Sequence, residues 1–175
     1  MVELVKKLVG VLKLKELFFE SFEAQRLVSV DVPREVAVDL NYSAVARRRG
    51  ARGFDAIATF IATVSGLDSS EVAKITSKIR VVYIIPECQE TKDIEITDEL
   101  LAAIAETQGI YTAHPYFREY LQGACGRLSL PPLIAPPIMG KTLFNRVRDR
   151  EAKKAQTKLD PKATNVVPLK PSKVG

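Results

Sequence analysis

The sequence of 175 residues has no tryptophan, one histidine (His114) and two cysteines, Cys88 and Cys125. Two thiols in a chain of this length make no disulfide framework and fit a reduced compartment. A lone histidine without Cys, Asp or Glu at ligand spacing makes no metal site. No serine elbow or carboxylate pair marks a catalytic centre, so neither an enzyme nor a cofactor is expected. Apolar runs stay well short of the about 20 residues that span a bilayer, so no stable membrane insertion is expected. Residues 2–14 (VELVKKLVGVLKL) are interrupted by Lys6 and Lys7 and lack a small-residue cleavage site after them. They are therefore not read as a targeting segment, and a cytoplasmic chain is the expectation.

Hydrophobic residues make up 46% of the chain, enough for one globular domain. The formal charge of +5 invites a nucleic-acid partner, but its distribution argues otherwise. Residues 1–140 hold 16 Lys/Arg against 18 Asp/Glu, and residues 141–175 hold 10 against 3. The body is thus slightly acidic and the C-terminal end basic. Beyond residue 156 the chain (TKLDPKATNVVPLKPSKVG) has three prolines and little periodicity. The reading is one domain over residues 1–156 and a disordered, solvating basic tail over 157–175.

Periodicity predicts a short helix over residues 2–9, stopped near Gly10. In residues 11–23 Leu12 and Leu14 share one parity while Leu17 and Phe19 share the other, which predicts a strand with a bulge near Lys15–Glu16. Residues 35–45 alternate, with Val36, Val38, Leu40 and Tyr42 on one face. Residues 54–64 and 73–85 read as an antiparallel hairpin around Ser65–Ser70, and RRRGARG (47–53) reads as a loop. Thr97, followed by Asp98 and Glu99, marks a helix start. His114–Pro115 is read as the start of a second helix, with His114 in a helix-start role and an apolar stripe of Phe117, Tyr120, Leu121 and Ala124. A third helix is predicted over 141–156. Strands followed by helices give an α+β domain.

Gly140–Lys141–Thr142 looks like the end of a phosphate-binding loop, but Pro136 and Pro137 stand where backbone N–H groups would have to face phosphate. Cys125 is read as a packed thiol. RRRGARG and the basic tail carry an alternative reading as a nucleic-acid-binding or regulatory protein. No aromatics interleave their charges, so nucleic acid is the weaker expectation. The strongest functional signal is LSLPPLIAPPIM (128–139), with four prolines, six large apolar residues and no charge. Proline stiffens such a loop and lowers the entropy cost of presenting apolar side chains.

The run HPYFREYLQGACGRLSLPPLIAPPIMGKTLF (114–144) resembles the C-terminal half of the SecB family of protein-export chaperones. Pro115, Tyr116, Arg118, Glu119, Arg127, the Leu/Pro loop and the Leu143–Phe144 pair follow the family pattern without gaps. Upstream, residues 15–20, 35–40 and 54–85 resemble its four strands in order, so the likeness covers roughly residues 11–150. It implies a four-stranded antiparallel sheet followed by two to three helices packed on one face. It also implies a homotetramer, built as a dimer of dimers, that holds unfolded polypeptides without ATP or cofactor. Carried over, Val36, Val38 and Leu40 floor the client groove. Leu130, Leu133, Ile134 and Ile138 of the loop, with Leu143 and Phe144, form its wall. Glu16, Glu20 and Ile75 take positions of contact with the SecA motor. The fourth strand departs from the pattern, with Ser77–Lys78 where an acidic residue is expected. The segment FREYLQGACGRLSLPPL also resembles the SecB-like chaperones of toxin–antitoxin systems, which implies an antitoxin as an alternative client.

Overall fold

The computed structural model describes residues 1–28 and 35–159. Helix α1 (Val2–Val11) is followed by strands β1 (Lys13–Arg26), β2 (Ala37–Arg49), β3 (Gly53–Ser65) and β4 (Glu71–Ile84). The strands form one antiparallel sheet in the order β1-β4-β3-β2, so β1 and β2 are its two edges. Helices α2 (Asp98–Ile104), α3 (Ile110–Arg127) and α4 (Gly140–Leu159) complete the chain, with a π-helical segment, Ala105–Gly109, between α2 and α3. The expected α+β architecture is the observed one.

Along β3 burial alternates from Ala56 onward, and Asp55 on the outer face is buried as well. Phe54, Ala56, Ala58, Phe60, Ala62 and Val64 are fully buried toward the helices, and the intervening residues Ile57, Thr59, Ile61 and Thr63 are half-buried on the outer face. Small residues at the centre let the helical layer come close. Gly109 lies so near Ala56 that an added Cβ would stand 2.6 Å from the Ala56 Cβ. Phe54 stacks on Tyr83, whose hydroxyl donates to Thr112 Oγ1 at 2.7 Å. Burial pushes the Tyr83 phenol up to about 12.

Strand β1 contains two residues without partners in the ladder to β4, Lys15 and Glu20. Each resets the alternation by one. Leu14, Leu17, Phe19, Phe22 and Ala24 therefore all fall on the helix-facing side, in register with Tyr83, Val81, Ile79, Ser77 and Ile75. The parity break in the sequence is a real bulge at Lys15. The second, at Glu20, had no counterpart in the reading.

Three expectations change. Residues 47–53 are not a free loop: Arg47–Arg49 extend β2, and only residues 50–52 turn before Gly53 opens β3. Helix-starting chemistry at His114–Pro115 is overruled, because the helical path runs unbroken from Asp98 to Arg127 and Pro115 lies inside α3. Burial of Ile110, Ala113, His114 and Phe117 against the sheet outweighs the proline's missing N–H. Thr97 does cap α2, accepting from Leu100 N at 3.2 Å. Helix α4 runs to Leu159, beyond the expected boundary at 156, and the tail from residue 160 lies outside the described residues.

Candidate functional site

The Leu/Pro loop leaves α3 through Ser129, which adopts a left-handed conformation at φ 54°. Leu130 N then donates to Cys125 O at 2.9 Å and turns the chain back along the helix. Leu130, Leu133 and Ala135 are buried, while Ile134 is 69% exposed. His114 fixes the middle of the loop. Its ring is buried beside Phe60 and bonds to the Pro136 backbone, while Nε2 has no partner. Burial and the nearby Arg118 charge hold this imidazole below its ordinary 6.5, against the opposing pull of the Pro136 bond. Cys125 is a packed, buried thiol, pushed up by that burial.

Between this loop and β2 lies a groove of about 330 Å³. Val38 and Leu40 form its floor, Leu121 of α3 its back, and Leu133, Ile134 and Pro136 its wall. Two further hollows follow along the helical layer. One, of about 240 Å³, is bounded by Thr107, Gln108, Tyr111, Leu143 and Phe144. The other, of about 230 Å³, lies between β2 and α4 and is bounded by Ser43, Ala44, Glu106, Ile110, Arg146 and Arg150.

The structure brings Val38, Leu40, Leu133 and Ile134 together along one hollow. Val36 and Ile138 are half-buried against the core, and Phe144 turns to the second hollow. Leu130 and Leu143 are corrected as groove-wall residues. Both are buried in the domain's own core, Leu143 together with Val147 one turn later. Leu121 and Pro136 were not singled out for the groove. Leu121 has a helix-stripe signal that is the same for a core residue and a groove residue, so the sequence could not separate the two.

The outer sheet face carries mixed charge. Glu16 lies opposite Val82 and is exposed, while Glu20 is ion-paired with Arg80. Ile75 is corrected as a surface contact: it points to the helices and is 0% exposed. The RRRGARG arginines are largely engaged internally. Arg48 bonds to Asp98 and the Ile96 carbonyl, and Arg49 pairs with the fully buried Asp55. Arg52 donates to the carbonyls of Ile85, Pro86 and Thr91 and to Thr91 Oγ1. Among the described residues no cluster of three His, Cys, Asp or Glu is placed to hold a metal, and no helix is long and apolar enough to cross a membrane.

No family model matches the chain. Over 45 residues it is 49% identical to the SecB-like chaperone Rv1957 of Mycobacterium tuberculosis strain H37Rv, and equally to the SecB-like chaperone MT2006 of strain CDC 1551. That stretch is 26% of this chain and spans 24% of the length of each relative. In three dimensions the chain superposes on the solved structure of Rv1957 in complex with a ChAD peptide from the Rv1956 HigA1 antitoxin. The TM-score is 0.67 at 19% identity, over 78% of this chain and 97% of that one. The chain thus has a SecB-like fold and a segment of close likeness to named SecB-like chaperones.

Proposed function

We propose that this protein is an ATP-independent holdase that binds non-native polypeptide in the groove between β2 and the Leu/Pro loop. The observation that carries the reading is Ile134, exposed on a proline-stiffened loop that faces Val38 and Leu40 across an apolar groove. Apolar contact is worth roughly 25 cal/mol per Å² removed from water and is indifferent to sequence, which suits a binder of many chains. The protein binds and releases its client without converting it, and it works in the cytoplasm.

Of the two client classes, a dedicated client such as an antitoxin is favoured over delivery to an export motor. The outer sheet face supports this, since Lys74 and Lys78 extend outward from β4 and Glu20 is neutralised by Arg80. The likeness to a chaperone solved with an antitoxin peptide supports it as well. A homo-oligomer is supported by β1, an open edge of 14 residues bearing exposed Leu14, Phe18, Phe19 and Phe22. Dimers form across that edge and pair into the tetramer. A nucleic-acid role loses ground because Arg48, Arg49 and Arg52 donate to partners within the chain, Arg48 and Arg49 at its surface.

The test is suppression of aggregation of a slowly refolding protein without ATP, with the wild type beside Ile134→Asp and Val38→Asp. Suppression at near-stoichiometric amounts, lost in both variants, supports the groove. No suppression at any ratio, or full activity in both folded variants, overturns it.

A further inference from the structure

A second hollow lies along β2 beyond Leu40. Four residues further along the same edge strand, about 13 Å away at the strand rise, the hollow between β2 and α4 has a different character. Its rim holds two guanidinium groups, Arg146 and Arg150, and one carboxylate, Glu106. Arg146 lies over the Tyr42 ring at 4.7 Å and bonds weakly to the Tyr42 carbonyl at 3.4 Å. Arg150 is ion-paired with Glu106. Each guanidinium carries five N–H donors, so these contacts fix both side chains and leave most of their donors free. Ser43 adds a hydroxyl at the rim. The hollow is concave, carries a net positive charge, and has its cations held in place before any ligand arrives.

We infer that this hollow is an acidic subsite: it takes an Asp or Glu side chain of an extended client whose apolar residue, about four positions away, sits against Val38, Leu40 and Ile134. The inference rests on the holdase reading and adds to it a directional preference that an apolar groove lacks. The occupant is a client carboxylate, on grounds of charge. The chain beyond α4 supplies Asp160 against Lys162, Lys170 and Lys173, so this protein's own tail does not complement a positive hollow. Forked donors favour a carboxylate over an amide of the same shape, because the carboxylate accepts two charge-assisted bonds.

The test is fluorescence anisotropy with short labelled peptides. Each carries one Leu pair and, four residues to its N- or C-terminal side, either Glu or Gln. The full-length protein is expected to bind one of the two Glu peptides about five- to tenfold more tightly than its Gln partner. In Glu106→Gln/Arg146→Gln/Arg150→Gln that preference should vanish. Affinity for the Gln peptides should stay within about twofold, which also reports that the variant is folded. Equal binding of Glu and Gln peptides by the wild type overturns the subsite and leaves the groove standing, provided Ile134→Asp weakens both. A preference that survives in the triple variant also overturns it. Absence of binding by every peptide overturns the groove and the subsite together.

Discussion

The Phe117 ring lies flat on the Phe60 ring, centroids 4.7 Å apart and planes within 9°. Both side chains are fully buried, one on the helix and one at the centre of β3. This contact joins the long helix to the sheet that floors the groove. Phe117→Ala leaves a ring-sized void at that joint and is expected to cost about 3–5 kcal/mol. Urea unfolding measures it, and a loss below about 1 kcal/mol would contradict the packing described.

Gly109→Ala sets two effects against each other. Helix propensity favours alanine by about 1 kcal/mol. The Cβ, however, would stand 2.6 Å from that of Ala56. Overpacking of this kind costs about 1–3 kcal/mol, so the structure predicts net destabilisation. Ala56→Gly on top of Gly109→Ala should recover part of it, and the double-mutant cycle read by thermal melts shows whether the two positions couple.

His114 makes the domain sensitive to acid. Its folded-state value is lowered by burial and by Arg118, so the folded state resists the proton that the unfolded chain accepts. The sign follows from linkage. There is no penalty above about pH 6.5; stability falls as pH drops through 6.5 and levels off below the folded-state value. The slope should be smaller in His114→Gln. Hydrogen exchange of the loop amides at residues 133–135 should rise over the same interval, since protonation places a poorly solvated charge beneath the loop and beside Arg118, a cost that the bond to Pro136 offsets only in part.

Arg52 holds the chain after β4 through four donated bonds to Ile85, Pro86 and Thr91. Arg52→Ala strands these acceptors and is expected to cost about 2 kcal/mol or more. Arg52→Lys should not rescue it, because an ammonium cannot present the planar fork. Equal stability of wild type and Arg52→Ala would return this arginine to the surface as a free cation.

The sheet was legible because β2 alternates apolar with polar residues, and β3 and β4 are rich in β-branched residues on either side of a short polar turn. The groove was half legible. Val38, Leu40 and Ile134, which border one groove in the structure, were singled out through the resemblance to the SecB family, while the loop's composition alone did not say what it lies against. Leu143 was misplaced because a buried leucine and a client-facing leucine look alike until the helix phase is known. Pro115 misled for a local reason: proline suits a helix start, and only the burial of Phe117 and Ile110 shows why the helix runs through it. The arginines of 47–53 read as a solvated cluster because their partners, Asp98, Asp55 and Thr91, lie 6 to 50 residues away.

Strand β1 carries a further implication, for inheritance. Lys15 and Glu20 stand outside the ladder, while the residues on either side of each meet consecutive partners on β4, Leu14 with Tyr83 then Glu16 with Val82, and Phe19 with Ile79 then Ser21 with Lys78. Loss of the codon for Lys15 would therefore leave every pair and every facing as it is and only straighten the edge. Loss of the codon for Glu20 would do the same to the ladder but remove the ion pair with Arg80. In descendants of this gene, Lys15 should drift among polar residues and tolerate deletion, and Glu20 should be held more tightly.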